Sequence, residues 1–163
     1  MANMYGVIGG HPDFTITSTA NEGREFALGD VAMGSDGSCW VYVEADEAIA
    51  AADAVLIASD WGVQKVDTTS TANAFGQWVG VAKVAFASGD YGWVQRSGIA
   101  DLNVRTNCSA TSQLNSTSVP GFLDDDSTTG AENINGIVTF ATITASASTS
   151  AILNFPVVGT TET

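Results

Sequence analysis

The residues able to do chemistry are few and scattered. His11 is the only histidine in a chain of 163 residues, so no pair of imidazoles can hold a metal ion. A nucleophilic serine would need His11 as its base. No Gly-x-Ser-x-Gly elbow is present to carry such a serine, and His11 lies beside Pro12 in a glycine-rich segment. Asp124, Asp125 and Asp126 stand in a row. A calcium loop spaces its roughly six to eight oxygen ligands around a glycine turn, so three consecutive aspartates read as a solvated acidic loop. Gly89, Gly92 and Gly98 punctuate the stretch GDYGWVQRSG and invite comparison with a phosphate-binding loop. Such a loop joins a strand to a helix and usually carries a lysine. Here Trp93-Val-Gln-Arg96 follows instead, with no lysine. Strand, tight glycine turn and second strand is the better reading. This inventory leads us to expect no enzyme, no cofactor and no bound metal.

Trp40, Trp61, Trp78 and Trp93 leave a carbohydrate reading open, because sugars stack on exposed indoles. Packing in a core or a subunit interface is the plainer role. Cys39 and Cys108 can form one bridge at most, and we read them as two free thiols. The sequons at Asn107 and Asn115 are accidents of a chain with 33 serines and threonines.

The elements that must position these residues are mostly strands. Few prolines, many small hydroxyl residues and 17 glycines favour strands and turns. Eighteen carboxylates against five Lys and Arg give a net charge of −13, which repels phosphate backbones and makes nucleic acid an improbable partner. No segment reaches the roughly 18 apolar residues of a membrane helix, and the N-terminus lacks the pattern of an export signal. No membrane partner is expected.

Along the chain, residues 1–13 form an N-terminal arm in which Met4, Tyr5, Val7 and Ile8 are apolar and available to a partner. Residues 14–163 form a single β-rich domain. Within it, residues 14–19 alternate as a strand, and Asp36-Gly37 marks a hairpin. Residues 39–44 alternate Cys39, Val41 and Val43 against Trp40, Tyr42 and Glu44. Residues 46–53 are the best helical candidate, and residues 54–58 make a buried strand. Long strands are expected over 77–87 and 134–145, and over 151–158, where Pro156 requires an edge or a bulge. Residues 106–133 form an irregular acidic insertion. The fold class is all-β: a sandwich or small barrel of short antiparallel strands, with at most one short helix.

The middle of the chain resembles the decoration, cement or head-stabilising proteins of tailed-phage capsids. The resemblance lies in Phe26-Ala-Leu-Gly-Asp30, Gly37-Ser-Cys-Trp-Val-Tyr-Val43, Ala48-Ile-Ala-Ala-Ala-Asp-Ala-Val55, Gly80-Val-Ala82, Gly89-Asp-Tyr-Gly-Trp-Val94 with Gly98, and Ile134-Asn-Gly-Ile137. It covers roughly residues 25–140 and excludes the acidic run and the Ser/Thr-rich tail. It implies a viral structural protein on the outer surface of the capsid, assembled in the host cytoplasm. It also implies a homotrimer that clamps neighbouring copies of the major capsid protein. The alternative is a phage fibre or surface β-module that binds glycans through its tryptophans.

Overall fold

The computed structural model describes residues 4–5 and 24–160. Among them every regular element is a strand, so the fold is all-β as expected. The strands are β1 (Met4–Tyr5), β2 (Val31–Gly34), β3 (Cys39–Ala45), β4 (Ala54–Ile57), β5 (Gly62–Lys65), β6 (Trp78–Ala82), β7 (Tyr91–Val104), β8 (Leu114–Ser116), β9 (Leu123–Asp124), β10 (Asn133–Thr139) and β11 (Ala147–Val158). The strand expected over residues 14–19 lies outside the described residues.

The pairings close on themselves twice. β3, β5, β4, β6 and β7 form one circuit; β7, β11, β10, β8 and β9 form a second. This is the small-barrel form of the expected fold, built as two circuits that share β7. Two pairings, β3 with β5 and β7 with β9, are parallel, a departure from a wholly antiparallel arrangement. Each circuit has its own filling. Val41, Val43, Val55, Ile57, Val63 and Val94 pack in the first. Leu102, Val104, Leu114, Leu123, Ile134 and Leu153 belong to the second cluster. β4 explains why residues 54–58 read as an unbroken apolar run. Val55 and Ile57 join the first cluster while Ala54 and Leu56 join the second, so both faces of the strand are buried.

The Asp36-Gly37 hairpin forms as expected between β2 and β3. Gly37 takes a positive φ of 81°, and Asp36 accepts hydrogen bonds from both the backbone N–H and the hydroxyl of Ser38. The alternation of β3 also holds. Val41 and Val43 face the first core, while Trp40 and Tyr42 face an aromatic cluster with Trp93 and Phe26.

Three local expectations fail. Residues 46–53 are not a helix: Ile49 exchanges backbone hydrogen bonds with Phe86, and the N–H of Ala52 goes to the carbonyl of Ala82. A two-turn segment gains too little from its own ladder to compete with such partners. The strand expected over 77–87 stops at Ala82, because the chain bends to bring Phe86 to Ile49. The strand expected over 134–145 stops at Thr139, and Ile143 instead packs over the end of the second core, its N–H bonded to the carbonyl of Cys108. Residues 106–133 are irregular but not peripheral, since they contribute β8, β9 and the core residues Cys108, Leu114 and Leu123.

Pro156 lies in a bulge. Asn135 pairs with Val157 and Ile137 with Leu153, so three residues of β11 face the single Gly136. Gly136 has a φ of 88°, and a Cβ there would stand 2.8 Å from the carbonyl oxygen of Asn154. Gly136→Ala should therefore cost about 2–4 kcal/mol, combining a left-handed backbone penalty with a clash against main chain. Gly37→Ala also has positive φ but meets nothing within 4 Å and should cost only about 1 kcal/mol. Thermal melts of the two variants check the order. Equal losses would mean that the bulge is not tightly packed.

Candidate functional site

The shared strand β7 places the most unusual side chain in the molecule. From Tyr91 to Ser97 it pairs with β3; from Ser97 onward it pairs along its other edge with β11. At the changeover Cys39 faces Ser97 while Trp40 faces Gln95, which leaves Arg96 as the extra residue of a β-bulge. Bulges re-aim side chains. Gly98 follows with φ of 93°, and the Gln95 side-chain amide donates to the carbonyls of Ser97 (2.9 Å) and Ile99 (3.0 Å), fastening the bend.

Arg96 is only 5% exposed. Its Nε donates to the Val79 carbonyl at 3.2 Å and its Nη2 to the Pro156 carbonyl at 3.3 Å. Its guanidinium carbon lies 4.1 Å from the ring centroid of Trp78 and 5.7 Å from that of Phe155, within cation–π range. No carboxylate among the described residues pairs with it. Burial without a counter-ion pushes the guanidinium down to about 10, an effect that Cys39 offsets in part.

Arg96 lines a cleft of about 390 Å³ with Cys39, Trp78, Phe155, Val31 and Val157. Val31 (55% exposed), Trp78 (42%) and Phe155 (51%) form an apolar rim. Phe155 sits in the β11 bulge with a positive φ of 47°, a costly conformation for a bulky residue. Two bulges on neighbouring strands thus converge on one cleft. Chemically it offers one cation, aromatic faces and apolar contact. The sequence reading passed over Arg96 and Phe155. The available signal was an arginine directly after the strand-like run Trp93-Val-Gln95, in a chain with only five cationic side chains.

The four tryptophans divide. Trp40 and Trp93 are core residues, whereas Trp78 is exposed and lies 5.7 Å from Trp61, ring to ring. Met4 and Tyr5 add a short strand to the domain's own sheet, opposite Gly34 and Met33. Val7, Ile8 and His11 lie outside the described residues.

The acidic run is less solvated than its composition implied. Asp126 is exposed, but Asp124 and Asp125 are half-buried, and each has a buried Oδ1 without a hydrogen-bond partner. Single ligand atoms of Cys108, Asp124 and Asp125 lie within 4.8 Å of one another. Burial pushes the Asp124 carboxyl above its ordinary 3.8, and the neighbouring carboxylates add to the rise. Both cysteines are free and buried. Burial, aided by the two aspartates, pushes the Cys108 thiol up to about 11.

Comparison with known protein families and with curated proteins finds no match to this chain.

Two outcomes follow for this region. A folded-state value raised above the unfolded one makes Asp124 costlier as pH rises through it, the cost being absent in acid. Asp124→Asn should therefore raise the stability at pH 7 by about 1 kcal/mol, with the gain vanishing near pH 4; urea melts at both pH values check this, and a loss at pH 7 would show that the charge is needed. Neither thiol should react with Ellman's reagent at pH 8 in the native protein, and both should react in denaturant.

Proposed function

We propose that this chain is a capsid decoration protein. It binds the outer surface of a phage head and stabilises contacts between major capsid subunits, acting as a homotrimer, with no catalytic role. Two lines support this. The glycine-and-strand motifs over residues 25–140 resemble those of capsid decoration proteins, and their spacing falls on strands and turns of a compact β-module. The single observation that carries the binding role is the apolar rim of Val31, Trp78 and Phe155 over the buried Arg96. Exposed aromatic side chains gathered around an arginine are the composition of a protein interface. The strong negative charge repels nucleic acid. The virion surface is the proposed location, after assembly in the host cytoplasm.

A glycan-binding fibre module is the second reading, favoured by the Trp61–Trp78 pair. One face of Trp78 is already occupied by Arg96, which leaves less indole for a sugar. Co-sedimentation with capsids that lack the protein, followed by electron microscopy of the particles, tests the first reading. Added density at regular positions on the outer shell is the expected result. Absence of binding, together with retention on a glycan array, would favour the second.

A further inference from the structure

We propose that the cleft at Arg96 is a carboxylate-binding site, and that its occupant is an Asp or Glu side chain, flanked by apolar residues, on a partner protein. A guanidinium buried to this degree is ordinarily matched by an acidic group, because an unpaired buried charge is costly. This chain has 18 carboxylates, yet none of those described is placed against Arg96. The charge is instead held by two backbone carbonyls and two aromatic rings. Those carbonyls use two of its five N–H donors. Nη1 donates to no group among the described residues. The geometry is that of a cation already desolvated and oriented, whose cost a ligand need not meet again on binding.

The class of anion follows from the surroundings. The rest of the cleft is apolar, and only one cation lines it. A phosphate or sulfate would need several donors to replace its hydration, and the net charge of −13 disfavours dianions further. A single carboxylate attached to an apolar body suits one fork of donors within an aromatic wall. A protein segment is favoured over a small metabolite because the cleft is open and its rim is built from exposed Val31, Trp78 and Phe155. Arginine and tryptophan at the centre of such a patch are the residues that dominate protein interfaces. The strained backbone of Phe155 and the bulge that turns out Arg96 are both local departures from regular strand, and both serve this one place. The inference rests on the binding role proposed above, and its test does not require the partner to be a capsid.

The test uses two blocked peptides, N-acetyl-Leu-Glu-Leu-amide and its Gln counterpart, titrated into the full chain. The readouts are the NMR signal of the Arg96 side-chain Nε–H and tryptophan fluorescence. The Glu peptide should bind at least about tenfold more tightly than the Gln peptide, as a charge-assisted hydrogen bond requires. Arg96→Gln should abolish that preference, and Arg96→Lys, which keeps the charge but loses the fork, should retain part of it. Equal binding of the two peptides, or no response to the Glu peptide up to about 10 mM (a Kd weaker than any useful interface contact), overturns the proposal. If Arg96→Gln does not fold by circular dichroism, the wild-type discrimination and the Lys variant still decide. Co-sedimentation separates this proposal from the capsid reading. If the wild type binds no capsid yet prefers the Glu peptide, the capsid reading alone fails. If the wild type binds capsids but shows no preference for the Glu peptide, the carboxylate site alone fails.

Discussion

Everything in this molecule hangs on the change of partner within β7. A strand can belong to two closed circuits only if it bends between them, and the bend must keep its backbone groups bonded. Here the bulge at Arg96 and the positive φ of Gly98 supply the bend. The buried amide of Gln95 satisfies the two carbonyls that the bend would otherwise turn away from the ladder. A side chain at Gly98 would crowd Ser38 at 3.1 Å and Gln95 at 3.3 Å, so the hairpin of β2 and β3 packs directly on the turn of the shared strand. The same region that joins the two cores also borders the cleft, which residues of β2, β3, β6, β7 and β11 line.

The cleft illustrates how irregular backbone acquires a role. A regular strand would direct alternate side chains into one core or the other, and an arginine at an inward position would be untenable. The bulge removes Arg96 from that alternation. The indole of Trp78 and the ring of Phe155 then shield the charge without neutralising it. In the acidic loop the converse holds: Asp124 and Asp125 crowd their oxygens beside the buried thiol of Cys108, and no cation among the described side chains offsets them.

Much of the fold was legible because its strands follow simple rules. Alternation in residues 39–44 gave the two faces of β3, Asp36-Gly37 gave the hairpin, and Pro156 gave an edge or a bulge, of which the bulge is found. The glycine stretch around Gly89 holds the turn and strand expected of it, but not the tight four-residue connection: Gly89 has positive φ, Tyr91 and Gly92 already belong to β7, and β6 ends at Ala82. What the sequence concealed were decisions made by distant partners. Ile49 lies in an apparent helix but bonds to Phe86, 37 positions away by number. Leu114 and Leu123 sit in a polar, turn-rich stretch whose composition hides their burial in the second core. The site was hidden for the same reason. Arg96, Phe155 and Trp78 come from three strands far apart in sequence, and no local spacing links them.

The doubly used strand also governs how the chain can acquire its structure. β7 finds its partners in β3, roughly fifty residues earlier, and in β11, roughly fifty later, and such non-local pairings slow folding into the millisecond-to-second range. Neither circuit can close before β7 is in place, and β7 is complete only when both have closed. Two barrels of this kind cannot behave as separable folding units. A cut between them would leave each without a wall, and the chain should cross its folding barrier as one cooperative body, in which a growing polypeptide waits for β11 before the second core is sealed.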